Sequence, residues 1–90
     1  MIDLSEAKTY LRVDSSDEDT LIESLIETAT QHVKDMTRLT DKAFEKQESR
    51  VRIAILYAVA YLYEYREKAN HKDLNLTLRS LLFGVREDKF

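Results

Sequence analysis

Ile53-Ala54-Ile55-Leu56-Tyr57-Ala58-Val59-Ala60-Tyr61-Leu62-Tyr63 is apolar at every position, and charge brackets it: Arg50 and Arg52 before, Glu64, Arg66 and Glu67 after. No Gly or Pro interrupts the run. Ala and Leu are strong helix formers, so it reads as the centre of a helix over about 48–69. Ile, Val and Tyr also suit strands; the length of the run and its helix-friendly flanks decide for the helix. A helix apolar on all sides has to be covered on all sides. At eleven residues the run is shorter than the roughly 20 that cross a bilayer, so no membrane role is expected. The expected cover is protein: the other helices of this chain and another chain.

The remainder of the sequence fits that centre. Ninety residues correspond to one domain, expected over 1–90. There is no Pro, no Cys and a single Gly, Gly84. So few turn formers point to an all-α fold with short connections. Without Cys there is no disulfide framework, thiolate chemistry or zinc ribbon. The opening residues 1–6 lack the basic and apolar regions of a signal peptide, which suggests a cytosolic origin.

Charge is unevenly placed. Residues 1–35 hold nine acids against Lys8, Arg12 and Lys34, a net −6; residues 36–90 hold eight acids against eleven bases, a net +3. The halves can attract each other within one fold, or between identical subunits meeting head to tail. No dense basic patch of the kind that carries DNA affinity is present.

Upstream, Asp3 and Glu6 have capping-box spacing, with Ser5 as a competing cap, and Ala7, Tyr10 and Leu11 share a face. This predicts a first helix over 4–13, ended by Asp14-Ser15-Ser16-Asp17. A second helix is expected over 17–37, starting at Ser16 or Asp17, with Asp17, Glu18 and Asp19 at the positive end of its dipole. Leu21, Ile22, Leu25, Ile26, Ala29, Val33 and Met36 form its apolar stripe. Leu39 turns inward from the connection, and Thr40 or Asp41 can cap the next helical turn. Ala43, Phe44 and Gln47 can form an extra turn running straight into the third helix, expected over 45–69; a start before Gln47 and a break there with a start after it are both open. Asn70-His71-Lys72-Asp73 reads as a break, and a fourth helix as 74–83, with Leu74, Leu78, Leu81 and Leu82 inward. Gly84 suits the left-handed position after a helix end, and 85–90 reads as a tail. The fold expected is a compact bundle of about four helices around the long apolar one.

Chemistry is sparse. His32 and His71 stand on different elements without partners at ligand spacing. Asp14, Asp17 and Asp19 miss the spacing and the Gly of a calcium loop. One Gly cannot build a phosphate loop, and no Ser sits at a nucleophile elbow. No enzyme, metal or cofactor is expected. Tyr57, Tyr61 and Tyr65 repeat every fourth residue on one face, with Tyr63 on another. Core packing with the hydroxyls at the edge is one reading, and an intersubunit face is the other. Base stacking is weakly supported, because few bases flank the rings besides Arg66. Arg50 and Arg52 point different ways. Solvation is the default for both, and a salt bridge comes second.

Taken in order, these pieces resemble a known family. Leu4-Ser5-Glu6-Ala7-Lys8-Thr9-Tyr10-Leu11-Arg12-Val13-Asp14 resembles the opening helix of head–tail connector (adaptor, head-completion) proteins of long-tailed bacteriophages and prophages. Asp17-Glu18-Asp19 with Leu21-Ile22 and Leu25-Ile26 is similar to their second helix. Arg52 to Leu56 and Ala60 to Glu67 are similar to their long third helix, and Leu81-Leu82-Phe83-Gly84-Val85-Arg86 to their ending. One departure is Arg38-Leu39-Thr40-Asp41, where many relatives carry Gly or Pro.

The resemblance implies a structural virion protein without catalytic residues. It implies a cyclic homo-oligomer of about a dozen subunits beneath the portal protein. The ring would meet the next head-completion or tail component, extend the channel for packaged DNA without sequence-specific binding, and help retain that DNA. Its place would be the head–tail interface, after assembly in the host cytoplasm. Joined to the charge asymmetry, this gives an expected subunit contact. Glu23 and Glu27 would lie near Arg50 or Arg52 of the next subunit, with Tyr57, Tyr61 or Tyr65 in the drier middle. The alternative is a small regulatory or antitoxin-like module dimerising through the central helix. A helix-turn-helix DNA binder is a weaker rival, since the second helix is acidic.

Overall fold

The computed structural model describes residues 2–65 and 71–83. Five helices succeed one another: α1 (Leu4–Leu11), α2 (Asp19–Thr37), α3 (Asp41–Lys46), α4 (Glu48–Glu64) and α5 (His71–Leu81). No strand occurs among the described residues. The protein is all-α.

Each boundary has a local cause. Asp3 is the α1 cap, its Oδ1 accepting from the Glu6 N–H at 2.8 Å, so Ser5 lies inside the helix. α1 stops at Leu11 because Arg12 takes the left-handed conformation (φ 61°), and its N–H turns back to the Lys8 and Thr9 carbonyls. α2 begins at Asp19, two residues later than expected, after Glu18. Only Asp19 of the expected acidic triplet therefore lies in the first turn. α2 ends at a second left-handed arginine, Arg38 (φ 58°). A Cβ makes that conformation costly, and glycine is the usual residue there.

The turn around Ala43 and Phe44 is a helix of its own. Thr40 caps it by accepting from the Ala43 N–H at 3.2 Å. Gln47 (φ −102°, ψ 24°) breaks the chain between α3 and α4, so the apolar helix begins after it. The expected continuation over 66–69 lies outside the described residues, as do Gly84 and the tail. The expected break before the last helix is corrected: His71, Lys72 and Asp73 are helical, with Asp73 in the first turn, where the dipole favours an acid.

α2 and α4 form the largest contact of the bundle. They run antiparallel. Tyr63, near the end of α4, donates a hydrogen bond to Glu18 ahead of α2, while Glu48 at the start of α4 shares a groove with Thr30 and Gln31. α1 packs across both, and α3 and α5 lie against α4. Ile22, Ala29 and Val33 of α2 meet Val51, Ala54, Ile55, Ala58 and Val59 of α4 in the core, all fully buried. Each of the larger side chains contributes roughly 1.5–3 kcal/mol by leaving water. Leu74, Leu78 and Leu82 close the core from α5, and Phe44 from α3. Thr37 is buried too, and its hydroxyl donates to the Lys34 carbonyl at 2.8 Å.

Ion pairs tie α1 down: Lys8 to Asp19 at 2.7 Å, and Glu6 to Arg52. Lys34 pairs with Asp41 across the α2–α3 connection. All are partly exposed and contribute at most about 1 kcal/mol each. One apolar placement is corrected: Leu81 is 39% exposed rather than turned inward, since Leu78 holds the buried stripe of its helix; Tyr10, on the same face of α1 as the buried Ala7, is 49% exposed.

Candidate interaction surface

α4 is covered on one side only. Val51, Ala54, Ile55, Ala58 and Val59 define the buried side. Opposite them, at helical spacing, lie Arg50, Ile53, Tyr57, Ala60, Tyr61 and Glu64. Ile53 is 61% exposed, Tyr57, Ala60 and Tyr61 are half-buried, and Arg50 and Glu64 are exposed. An isoleucine this open, two residues from the fully buried Ile55, is the clearest departure from a helix wrapped on all sides.

The three tyrosines form a ladder along this side. The Tyr57 and Tyr61 rings lie 6.5 Å apart at an interplanar angle of 29°; Tyr61 and Tyr65 are 4.9 Å apart and tilted by 42°. Tyr57 and Tyr61 pack on the core with one edge and show the other to solvent, so each carries part of both readings of these residues. Tyr65 is half exposed. Tyr63 is separate, with its hydroxyl on Glu18.

The charged members of the expected contact lie apart. Glu23 and Glu27 are exposed along α2, with no polar partner among the described residues, and so is Arg50 on α4. Arg52 is not the solvated side chain expected by default, because it pairs with Glu6 of α1 in its own chain. The surface therefore brings together Arg50 and the tyrosines, and places Glu23 and Glu27 on a different helix.

α5 adds residues that the sequence reading did not single out. Leu76 is 53% and Phe83 85% exposed. Leu76 stands off the stripe of Leu74, Leu78 and Leu82, and that offset is the one signal of its exposure. α5 is tied to α2 by the His32 ring Nε2, 2.7 Å from Asn75 Oδ1. His32 thus serves packing between helices. The His71 side chain lies outside the described residues.

No group of three or more His, Asp or Glu side chains among the described residues is arranged to hold a metal ion. No described helix is long and apolar enough to cross a membrane.

The family model described as phage gp6-like head-tail connector protein matches residues 1–88. No curated protein and no solved structure gives a match. Proteins of the matching family are structural components of the virion and not enzymes, and they assemble with portal and tail components. With the match covering nearly the whole chain, this all-α protein belongs to the phage gp6-like head–tail connector family.

Proposed function

We infer that this connector works as a ring of about a dozen copies in cyclic symmetry beneath the portal. The ring extends the channel for packaged DNA, helps retain that DNA, and presents its far side to the next head-completion or tail component. DNA passes without base-specific contacts, and assembly takes place in the host cytoplasm. The observation that carries the ring is the outward side of α4, where Ile53 is 61% exposed beside a tyrosine ladder. Apolar side chains in that setting contribute most of the affinity of a contact once a partner covers them. Tyr57, Tyr61 and Tyr65 take its dry middle. Glu23 and Glu27 of one subunit steer toward Arg50 of the next, while Arg52 has a lesser part because Glu6 already holds it.

Sedimentation velocity of the purified chain over a concentration series, alone and with portal, tests this reading. Species above the monomer, seen as rings by negative stain, support it. A strict monomer under both conditions contradicts it.

A further inference from the structure

Two stripes on different helices keep surface open to solvent: Ile53 and Glu64 are exposed on α4, with Tyr57 and Ala60 half-buried between them, and Lys72, Leu76, Arg79 and Phe83 are exposed on and just after α5. On α4, counting back from Glu64, Ala60, Tyr57 and Ile53 fall at offsets of four, seven and eleven residues. On α5, counting forward from Lys72, Leu76 and Arg79 fall at offsets of four and seven residues, and Phe83, in the turn that follows the helix, at eleven. Residues so spaced share one side of a helix. Leu76, Arg79 and Phe83 are exposed, and Arg79 has no polar partner among the described residues. Leu74, Leu78 and Leu82 hold the other side of α5 against the chain's own core, so the stripe points away from it. The Leu82 N–H bonds the Leu78 carbonyl at 2.9 Å and the Phe83 N–H reaches the Ser80 carbonyl at 3.4 Å, so a tighter turn at the helix end holds Phe83 close to the stripe.

The geometry points to the occupant of the α4 stripe: the α5 stripe of a second copy, laid antiparallel. This rests on the self-assembly reading above and names its contact. In that order Phe83 meets Ile53, the two most exposed apolar side chains of the pair. The Arg79 guanidinium lies over the Tyr57 ring, a favourable cation–aromatic pairing. Leu76 seats over Ala60, a knob over a small residue. Lys72 comes level with Glu64, so opposite charges face each other at the end of the stripe. Parallel order would set Phe83 against Glu64 and Lys72 against Ile53. The α4 stripe laid antiparallel on another α4 in the same register would set Ile53 against Glu64. The two different stripes match each other better than either matches itself. Used head to tail, a contact between two unlike stripes leaves one of each free on the outer copies, and a rotation that closes makes a ring.

The chain has no Cys, so paired single-cysteine variants test the contact. Ile53→Cys is mixed with Phe83→Cys, Glu64→Cys with Lys72→Cys, and, as the crossed pair, Ile53→Cys with Lys72→Cys. Each full-length mixture is assembled with portal, treated with a short bis-maleimide, and followed in parallel by sedimentation. The expected result is a covalent dimer from the two matched mixtures, absent from each variant alone and from dilute unassembled chains. The crossed pair stays uncoupled, since eleven residues separate its positions by about 16 Å along a helix. The Glu64–Lys72 mixture uses exposed positions on both helices, so it reports even if Ile53→Cys disturbs folding. Assembly without the matched dimers, or with equal coupling of the crossed pair, overturns this contact and leaves self-assembly standing. Failure to assemble in every mixture and in the parent chain overturns both.

Discussion

Ile53 and Ile55 sit two residues apart on one helix, and shortening each to alanine should give opposite phenotypes. Ile55 is fully buried and Ile53 is 61% exposed. Ile55→Ala removes buried methylenes and leaves a cavity, for which about 2–5 kcal/mol is typical. Ile53 keeps roughly two-fifths of its surface covered, so at about 2–2.5 kcal/mol for full burial its contacts contribute only about 1 kcal/mol. Alanine's better helix propensity returns a few tenths of that. Ile53→Ala should therefore lower stability by roughly 0.5 kcal/mol. Urea unfolding followed by far-ultraviolet circular dichroism reads both. On the usual scaling for a domain this size, Ile55→Ala lowers Tm by roughly 10 °C or more and Ile53→Ala by a few degrees. Assembly should reverse the order at temperatures where both variants are folded: Ile53→Ala weakens it and Ile55→Ala leaves it near the parent. Equal losses of stability would refute the assignment of buried and outward sides on α4. Unchanged assembly in Ile53→Ala would refute its part in the contact.

Val59→Asp should abolish cooperative melting, because Val59 is fully buried and an unpaired carboxylate there costs several kcal/mol, while Leu56→Asp, at a half-buried site, should lower Tm and leave a cooperative transition. Arg12→Gly and Arg38→Gly should each raise stability by up to about 1 kcal/mol in chemical denaturation, since both arginines hold left-handed backbone; a loss in both would contradict the cap geometry. Arg50→Glu should weaken assembly mainly at low salt, and adding Glu27→Arg should recover part of it; sedimentation at two salt concentrations reads this, and normal low-salt assembly of Arg50→Glu removes the electrostatic part.

Much of the fold was legible because apolar periodicity and capping chemistry are local. The stripe from Leu21 to Met36 gave α2, and the uninterrupted run from Ile53 to Tyr63 gave α4. Asp3 and Thr40 were readable as caps. The break at Gln47 was one of two open alternatives, and no residue decided for it. Glutamine is a good helix former, and the turn arises because α3 buries Phe44 while α4 buries Val51. The left-handed arginines were hidden for a related reason, as nothing at Arg12 or Arg38 marks a helix stop the way glycine does. The fourth-residue spacing of Tyr57, Tyr61 and Tyr65 disclosed the ladder. It could not disclose that Ile53 stands open, because an isoleucine inside an all-apolar run looks the same on either side. Arg52 was ambiguous until Glu6 was placed beside it, a contact between residues 46 positions apart in the sequence.

The most direct measurement is a cryo-electron microscopy reconstruction of the head–tail junction in the particle that carries this chain. The account predicts a ring of this protein directly beneath the portal, around the DNA channel, with Ile53 and the tyrosine ladder covered by the neighbouring subunit. A particle in which the chain is absent from that junction, or stands there with the outward side of α4 facing solvent, would contradict it.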